Sequence, residues 1–191
     1  MRGFKITLTS LSASLLLALP AGAQTTNAPA TSIENFELQT GTVIVKGFST
    51  VGTVSAGDAS VTIRTKKSSD LWHGQKIDGI AIGFTYISVG SPGNSTPKHF
   101  LVVDYDELDL LVKGIDYIGK ITYDATQLAG FEASYTTKSG LHIIAHSERK
   151  QGTIQTFIQF GEISRIPLNS DQLTQLRNLI TQAKATLDEI K

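Results

Sequence analysis

The chain has 191 residues, 17 basic and 17 acidic side chains, 40% hydrophobic residues and no cysteine. That length is enough for one domain with a core of its own. The missing cysteine excludes disulfides, a thiol nucleophile and a lipid-modified cysteine, and the zero net charge argues against the basic surface that nucleic acid or an anionic membrane selects.

Residues 1–23 have the pattern of a secretory signal. Arg2 and Lys5 form a positive n-region, residues 6–19 are apolar, Pro20 breaks the run, and Ala21-Gly22-Ala23 fits the small-residue cleavage site. The apolar stretch is short for a membrane span, which needs about 20 residues. Cleavage would start the mature chain at Gln24 and take away two basic residues, leaving a net charge of −2. An exported protein, periplasmic or extracellular, is expected, with no membrane span after cleavage.

Residues 24–40 are expected to be a flexible leader, small and polar at QTTNAPATS. Within it Ser32 is a candidate cap for a short helix through Ile33, Phe36 and Glu37. From Gly41 the character is β, and residues 41–191 read as a single α+β domain. GTVIVKGFSTVGTV is rich in valine and threonine, Gly57-Asp58 is a turn signal, and Val61-Thr62-Ile63-Arg64-Thr65 alternates as a half-buried strand does. KKSSDLWHGQK breaks the alternation and is expected to be a loop. The basic run Arg64-Thr65-Lys66-Lys67 then reads as a solvated strand end or hairpin shoulder. IDGIAIGFTYISV resumes the strand pattern through Ile80, Ile82, Phe84 and Tyr86. GSPGNSTPK is expected to be a loop, and residues 99–103 form a short apolar run.

DYDELDLLVKGIDYIGKI follows. Asp104 and Glu107 fit a capping box, and Leu108, Leu111, Val112, Ile115, Ile118 and Ile121 recur at helical spacing. Gly114 interrupts this stripe at a cost of about 1 kcal/mol against alanine, as close packing on a sheet would require. Strand patterns return in FEASYTT, LHIIAHSE and TIQTFIQFGEI. A second helix then opens at NSDQLTQLRNLITQAKAT, with Asn169 and Gln172 as the amide form of the box. An offset of 65 maps Asp104 onto Asn169, Glu107 onto Gln172, Leu108 onto Leu173, Leu111 onto Leu176 and Ile115 onto Ile180. The expected fold is therefore α+β: two antiparallel meanders, each followed by a packing helix, a ββββα-ββββα pseudo-repeat with halves at about 41–124 and 130–191.

FLVVDYDELDLLVKGIDYIGKI together with IPLNSDQLTQLRNLITQAKATLDEI resembles a group of small exported bacterial proteins of uncharacterised function. Strands followed by a helix opening I-P-L-N-S-D-Q-L are also similar to the end of the PC4 transcription-coactivator fold, and the tandem form is similar to the Whirly proteins. That second resemblance implies single-stranded nucleic acid bound on curved sheets, which use a basic strand surface with stacking aromatics. These strands carry few lysines and the mature chain is slightly acidic, so nucleic acid is disfavoured as a partner and no binding residues are carried over.

No catalytic constellation is legible. There is no G-x-S-x-G elbow, phosphate loop or H-E-x-x-H helix. His142 and His146 fall in an alternating strand, where a spacing of four spans about 13 Å, too far for one metal ion. The acids Asp104, Asp106, Glu107 and Asp109 suit a helix start through capping and the macrodipole. They are also the candidates for paired-carboxylate chemistry or a hard cation. Trp72 and His73, in a loop, are the candidate ligand contacts. No cofactor or metal is expected. The expected function is a non-catalytic binding or interaction domain, its partner an envelope protein or a small molecule. A small-ligand carrier and a single-stranded nucleic acid binder are the alternatives, and an enzyme working through the Asp104–Asp109 acids ranks last.

Overall fold

The computed structural model describes residues 31–86, 99–148, 152–161 and 164–190. Residues 1–23, expected to be a signal sequence, residues 24–30 of the expected leader and the segment GSPGNSTPK, in which Asn94-Ser95-Thr96 has the form of a glycosylation sequon, lie outside the described residues.

The chain runs α1 (Ser32–Glu37), β1 (Ile44–Ala56), β2 (Ala59–Asp70), β3 (Lys76–Tyr86), β4 (His99–Asp104), a 3-10 turn (Tyr105–Glu107) and α2 (Leu108–Gly119). It continues through a second 3-10 turn (Tyr123–Ala125) to β5 (Gly130–Thr136), β6 (Leu141–Glu148), β7 (Thr153–Phe160), β8 (Ser164–Leu168) and α3 (Ser170–Glu189). The strands form two four-stranded antiparallel sheets in sequence order, β1-β2-β3-β4 and β5-β6-β7-β8. The expected α+β pattern of two meanders, each followed by a helix, is the observed one. Gly57 takes a positive φ in the turn between β1 and β2, where a side chain would be strained.

The helices cross over. α2, which follows the first sheet, packs on β5 and β6 of the second; α3, which follows the second sheet, packs across β1, β2 and β3 of the first. The two helices also pack on each other, and Arg177 donates to both oxygens of Asp116 at 3.0 and 3.3 Å. One continuous buried cluster results, drawing Ile63, Ile82 and Phe84 from the first sheet, Ile143 and Ile158 from the second, and the helical stripes Leu108-Leu111-Ile115 and Leu173-Leu176-Ile180.

Gly114 marks the tightest approach of α2 to its sheet. A Cβ there would lie 2.5 Å from Cγ of Tyr135 and 3.0 Å from its Cβ, the stiff base of that side chain. Gly114→Ala should therefore lose stability by about 1–2 kcal/mol, the overpacking outweighing the gain in helix propensity of about 1 kcal/mol. Urea denaturation measures it, and a stabilised variant would show that Tyr135 moves aside freely.

Three expectations need correcting. The leader was expected to reach residue 40 with a short helix through Ile33, Phe36 and Glu37; that helix is present as α1, but it belongs to the fold, with Ile33 fully buried and Phe36 nearly so. Its cap is Thr31 rather than Ser32: Thr31 Oγ1 accepts from Glu34 N at 3.1 Å, and Glu34 accepts from Thr31 N at 2.9 Å. The segment KKSSD was expected to be loop, but it is the end of β2. Its polar side chains alternate as a strand requires, and polar partners cover them. The Asp104–Glu107 capping box is absent, since neither residue caps the helix through its side chain. Asp104 instead accepts from Ser32 N at 2.7 Å and Ile33 N at 3.1 Å, at the start of α1. Glu107 accepts from Lys138 N at 2.9 Å. In α3, Asn169 and Gln172 bond each other's backbone N–H at 2.8 and 2.9 Å.

Candidate ligand-binding face

The first sheet has one face against α3 and one face turned outward. On β3 the outward residues are Gly79, Ala81, Gly83 and Thr85, while Ile80, Ile82 and Phe84 point into the core. The outward side of the central strand is thus a floor of small residues. β1 bulges between Thr50 and Gly52. The extra residue reverses the alternation, so Phe48 and Thr50 share the outward face with Thr53 and Ser55. The same bulge brings Gly52 under α3, where a Cβ would lie 2.5 Å from Leu179.

Arg64 of β2 lies in the middle of this face, opposite Thr50 on one side and Ala81 on the other. Its guanidinium carbon is 5.6 Å from the ring centre of Phe48 and 5.7 Å from that of Phe100, close enough for cation–π attraction to both. Phe48 is 50% exposed and Phe100 44%. Among the described residues nothing accepts a hydrogen bond from Arg64, and its Nε is buried without a partner. Thr53 and Thr62, hydrogen-bonded to each other at 3.0 Å, extend the face with hydroxyls.

Helix α1 covers the other half of the face. Ile33 fills the space over Gly79, where a Cβ would lie 2.4 Å from Ile33 Cδ1. Glu37 accepts from Lys46 and Lys66 at 2.7 Å each and from Ser68 at 2.5 Å. Lys66 is only 6% exposed, so the basic run expected at a solvated shoulder is instead half engaged by α1. Burial pushes the Glu37 carboxyl upward, but the hydrogen bonds from Lys46, Lys66 and Ser68 outweigh it and hold the group below its ordinary range. A lowered folded-state value means stability that is present above the ordinary carboxylate range, about pH 4.3, and is lost as pH falls through the lowered value. Acid should therefore release α1. Methyl NMR of Ile33 reads this directly: the resonance should move below about pH 4 in the native sequence, with a smaller acid step in Glu37→Gln. An identical acid step in both proteins would remove Glu37 as the cause.

The two residues expected to touch a ligand sit at the far end of the same hairpin. Trp72 is 66% exposed in the turn after β2. His73 Nδ1 lies 2.5 Å from Oδ2 of the buried Asp70, which also accepts from Thr42 Oγ1 and from the backbone N–H groups of Trp72 and His73. Burial pushes the Asp70 carboxyl upward, but those donors hold it far below its usual range. Asp70 builds this turn and holds His73 through Nδ1, beside the exposed Trp72.

Of the four acids singled out at the start of α2, three meet at Lys138, whose Nζ stands 3.6 Å from Asp104, and Asp109 turns away to Lys184. Asp104 serves α1 and Glu107 serves Lys138 N. Asp106 accepts from Lys138 Nζ at 3.2 Å, and Asp109 pairs with Lys184 at 3.3 Å. His142 Nδ1 lies 2.8 Å from Thr136 Oγ1, and His146 lies 3.7 Å from Glu132. Among the described residues no group of three or more histidines and acids is placed to hold a metal ion.

A cleft of about 980 Å³ opens elsewhere, between the β1–β2 turn, the end of α2 and strand β8, lined by Ala59, Ile118, Ile154, Phe157, Ile166 and Leu173 among others. The outer face of the second sheet carries a stack like that of the first: Arg165 lies 4.8 Å over the Phe157 ring.

No family model matches the chain, no curated protein matches it, and no solved structure matches it.

Proposed function

We propose that the protein is a non-catalytic binding module, exported to the periplasm or beyond, that takes its ligand on the outer face of the first sheet. The observation that carries this reading is the Arg64 guanidinium between two half-exposed phenylalanines, without a hydrogen-bond acceptor among the described residues. Exposed aromatics that flank a charged group on a rigid sheet are a common recognition surface, because the strands fix their spacing before the ligand arrives. The export part of the proposal rests on the signal pattern of residues 1–23, and fractionation with amino-terminal sequencing should give a mature protein beginning at Gln24.

The test is a pull-down of tagged mature protein from envelope extract, run beside Phe48→Ser and Arg64→Gln, with native mass spectrometry on the eluates. A component held by the native protein and lost from both variants, at unchanged melting temperature, supports the face. Equal retention by all three overturns it. Single-stranded nucleic acid is tested in parallel with an oligothymidylate at low salt, where a backbone binder would show affinity falling steeply as salt rises. The pairing of Lys46 and Lys66 with Glu37, and of Arg165 with Glu132, speaks against that outcome.

A second reading, a carrier of a small apolar ligand, is favoured by the cleft between the sheets. Native mass spectrometry of protein from its own host should then show a bound molecule that Ala59→Trp displaces. Retention of the molecule by that variant would count against the cleft.

A further inference from the structure

We infer that the outer face of the first sheet takes an organic carboxylate, its oxygens on the Arg64 guanidinium and its flat body against Phe48 or Phe100. This deepens the binding reading above and rests on it.

The second sheet supplies an internal comparison. Arg165 stacks on Phe157 as Arg64 stacks on Phe48 and Phe100. There the guanidinium is completed within the chain: Arg165 Nε donates to Gln159 Oε1 at 3.0 Å, and Nη2 donates to the Glu132 carboxylate at 3.4 Å. At Arg64 the rings are present and, among the described residues, the acceptors are not. Aromatic faces attract a cation but accept no conventional N–H bond, so the fork-shaped donor set is left for an outside acceptor. A carboxylate is the planar partner that matches it.

The neighbouring cation Lys66, whose Nζ lies 5.6 Å over the Phe48 ring, shares the single Glu37 carboxylate with Lys46, each at 2.7 Å, so that carboxylate balances one of the two. Shape is what selects a carboxylate: its planar pair of oxygens matches the guanidinium fork. Ala81 and Gly83 lie opposite Arg64 and Thr62, so nothing longer than a methyl group rises from the central strand beside the guanidinium. The exposed rings leave flat apolar surface on both sides of it.

The experiment is an NMR titration of the mature protein, following Arg64 Nε–H and the backbone amides of Phe48 and Phe100. The probes are benzoate, its uncharged analogue benzamide, phenyl phosphate and acetate. Benzoate should shift these signals with a dissociation constant on the order of millimolar, and benzamide should bind at least about tenfold more weakly. Arg64→Gln should abolish the benzoate response, Arg64→Lys should retain part of it, and Arg165→Gln should leave it intact. Melting curves establish that each variant is folded. Benzamide binding as tightly as benzoate would overturn the carboxylate inference and leave the binding face standing. Phenyl phosphate binding tenfold more tightly than benzoate would also overturn it. No response to any probe would remove both the inference and the face on which it rests.

Discussion

Phe84→Ala should cost about 4 kcal/mol and lower the melting temperature by about 10 °C. Phe84 is fully enclosed on the inner side of β3, and its ring stacks on Phe160 of the second sheet, centroids 6.3 Å apart and planes at 22°. Truncation removes buried area, leaves a cavity and separates the one aromatic pair joining the sheets among the described residues, and the three losses act together. Because both sheets and both long helices share one buried cluster, the variant should still unfold in a single step. Urea melts followed by far-ultraviolet circular dichroism and by Trp72 fluorescence should coincide. A loss under about 1.5 kcal/mol would mean that the sheets do not depend on this contact. Two separated transitions would mean that they do not share a core.

Asp104→Ala should cost about 3 kcal/mol, most of it at α1. The buried carboxylate accepts from two N–H groups at the start of that helix and stands 3.6 Å from Lys138. Its removal strands two donors beneath the chain. Hydrogen exchange distinguishes this from the role that spacing suggests. Loss of protection should appear at residues 32–37 and leave α3 unchanged. Loss confined to residues 105–108 would return Asp104 to the conventional task of capping α2. Asp104→Asn, which keeps one acceptor oxygen, should fall between.

That contrast marks what was legible in the sequence. A cap whose partners lie three residues away is written locally, and Asn169–Gln172 is such a cap. Asp104 has the same spacing to Glu107, but its partners lie 71 and 72 residues earlier, and no local pattern distinguishes the two cases. The helical stripes were legible because Leu108, Leu111 and Ile115, like Leu173, Leu176 and Ile180, need only one apolar side each. KKSSD was illegible as strand because its outward side chains are polar; Glu37, from a segment expected to be leader, is what makes them buriable. Phe48 escaped notice because the bulge shifts its alternation relative to Val54. A signal was nonetheless present in IDGIAIGF. Small residues at every second position, Gly79, Ala81 and Gly83, meant that side chains from neighbouring elements could lie down over one side of the central strand, where all three are buried.

The crossing of the helices has a consequence for the newborn chain. The first sheet is complete by residue 104, yet its inner side waits for α3, whose last turn is residue 189. At ordinary synthesis rates of about 5–20 residues per second that interval is on the order of ten seconds. Throughout it the amino-terminal half has strands but no lid, and cannot settle into a native unit. The element that closes the first sheet is thus the last of the described elements to be made.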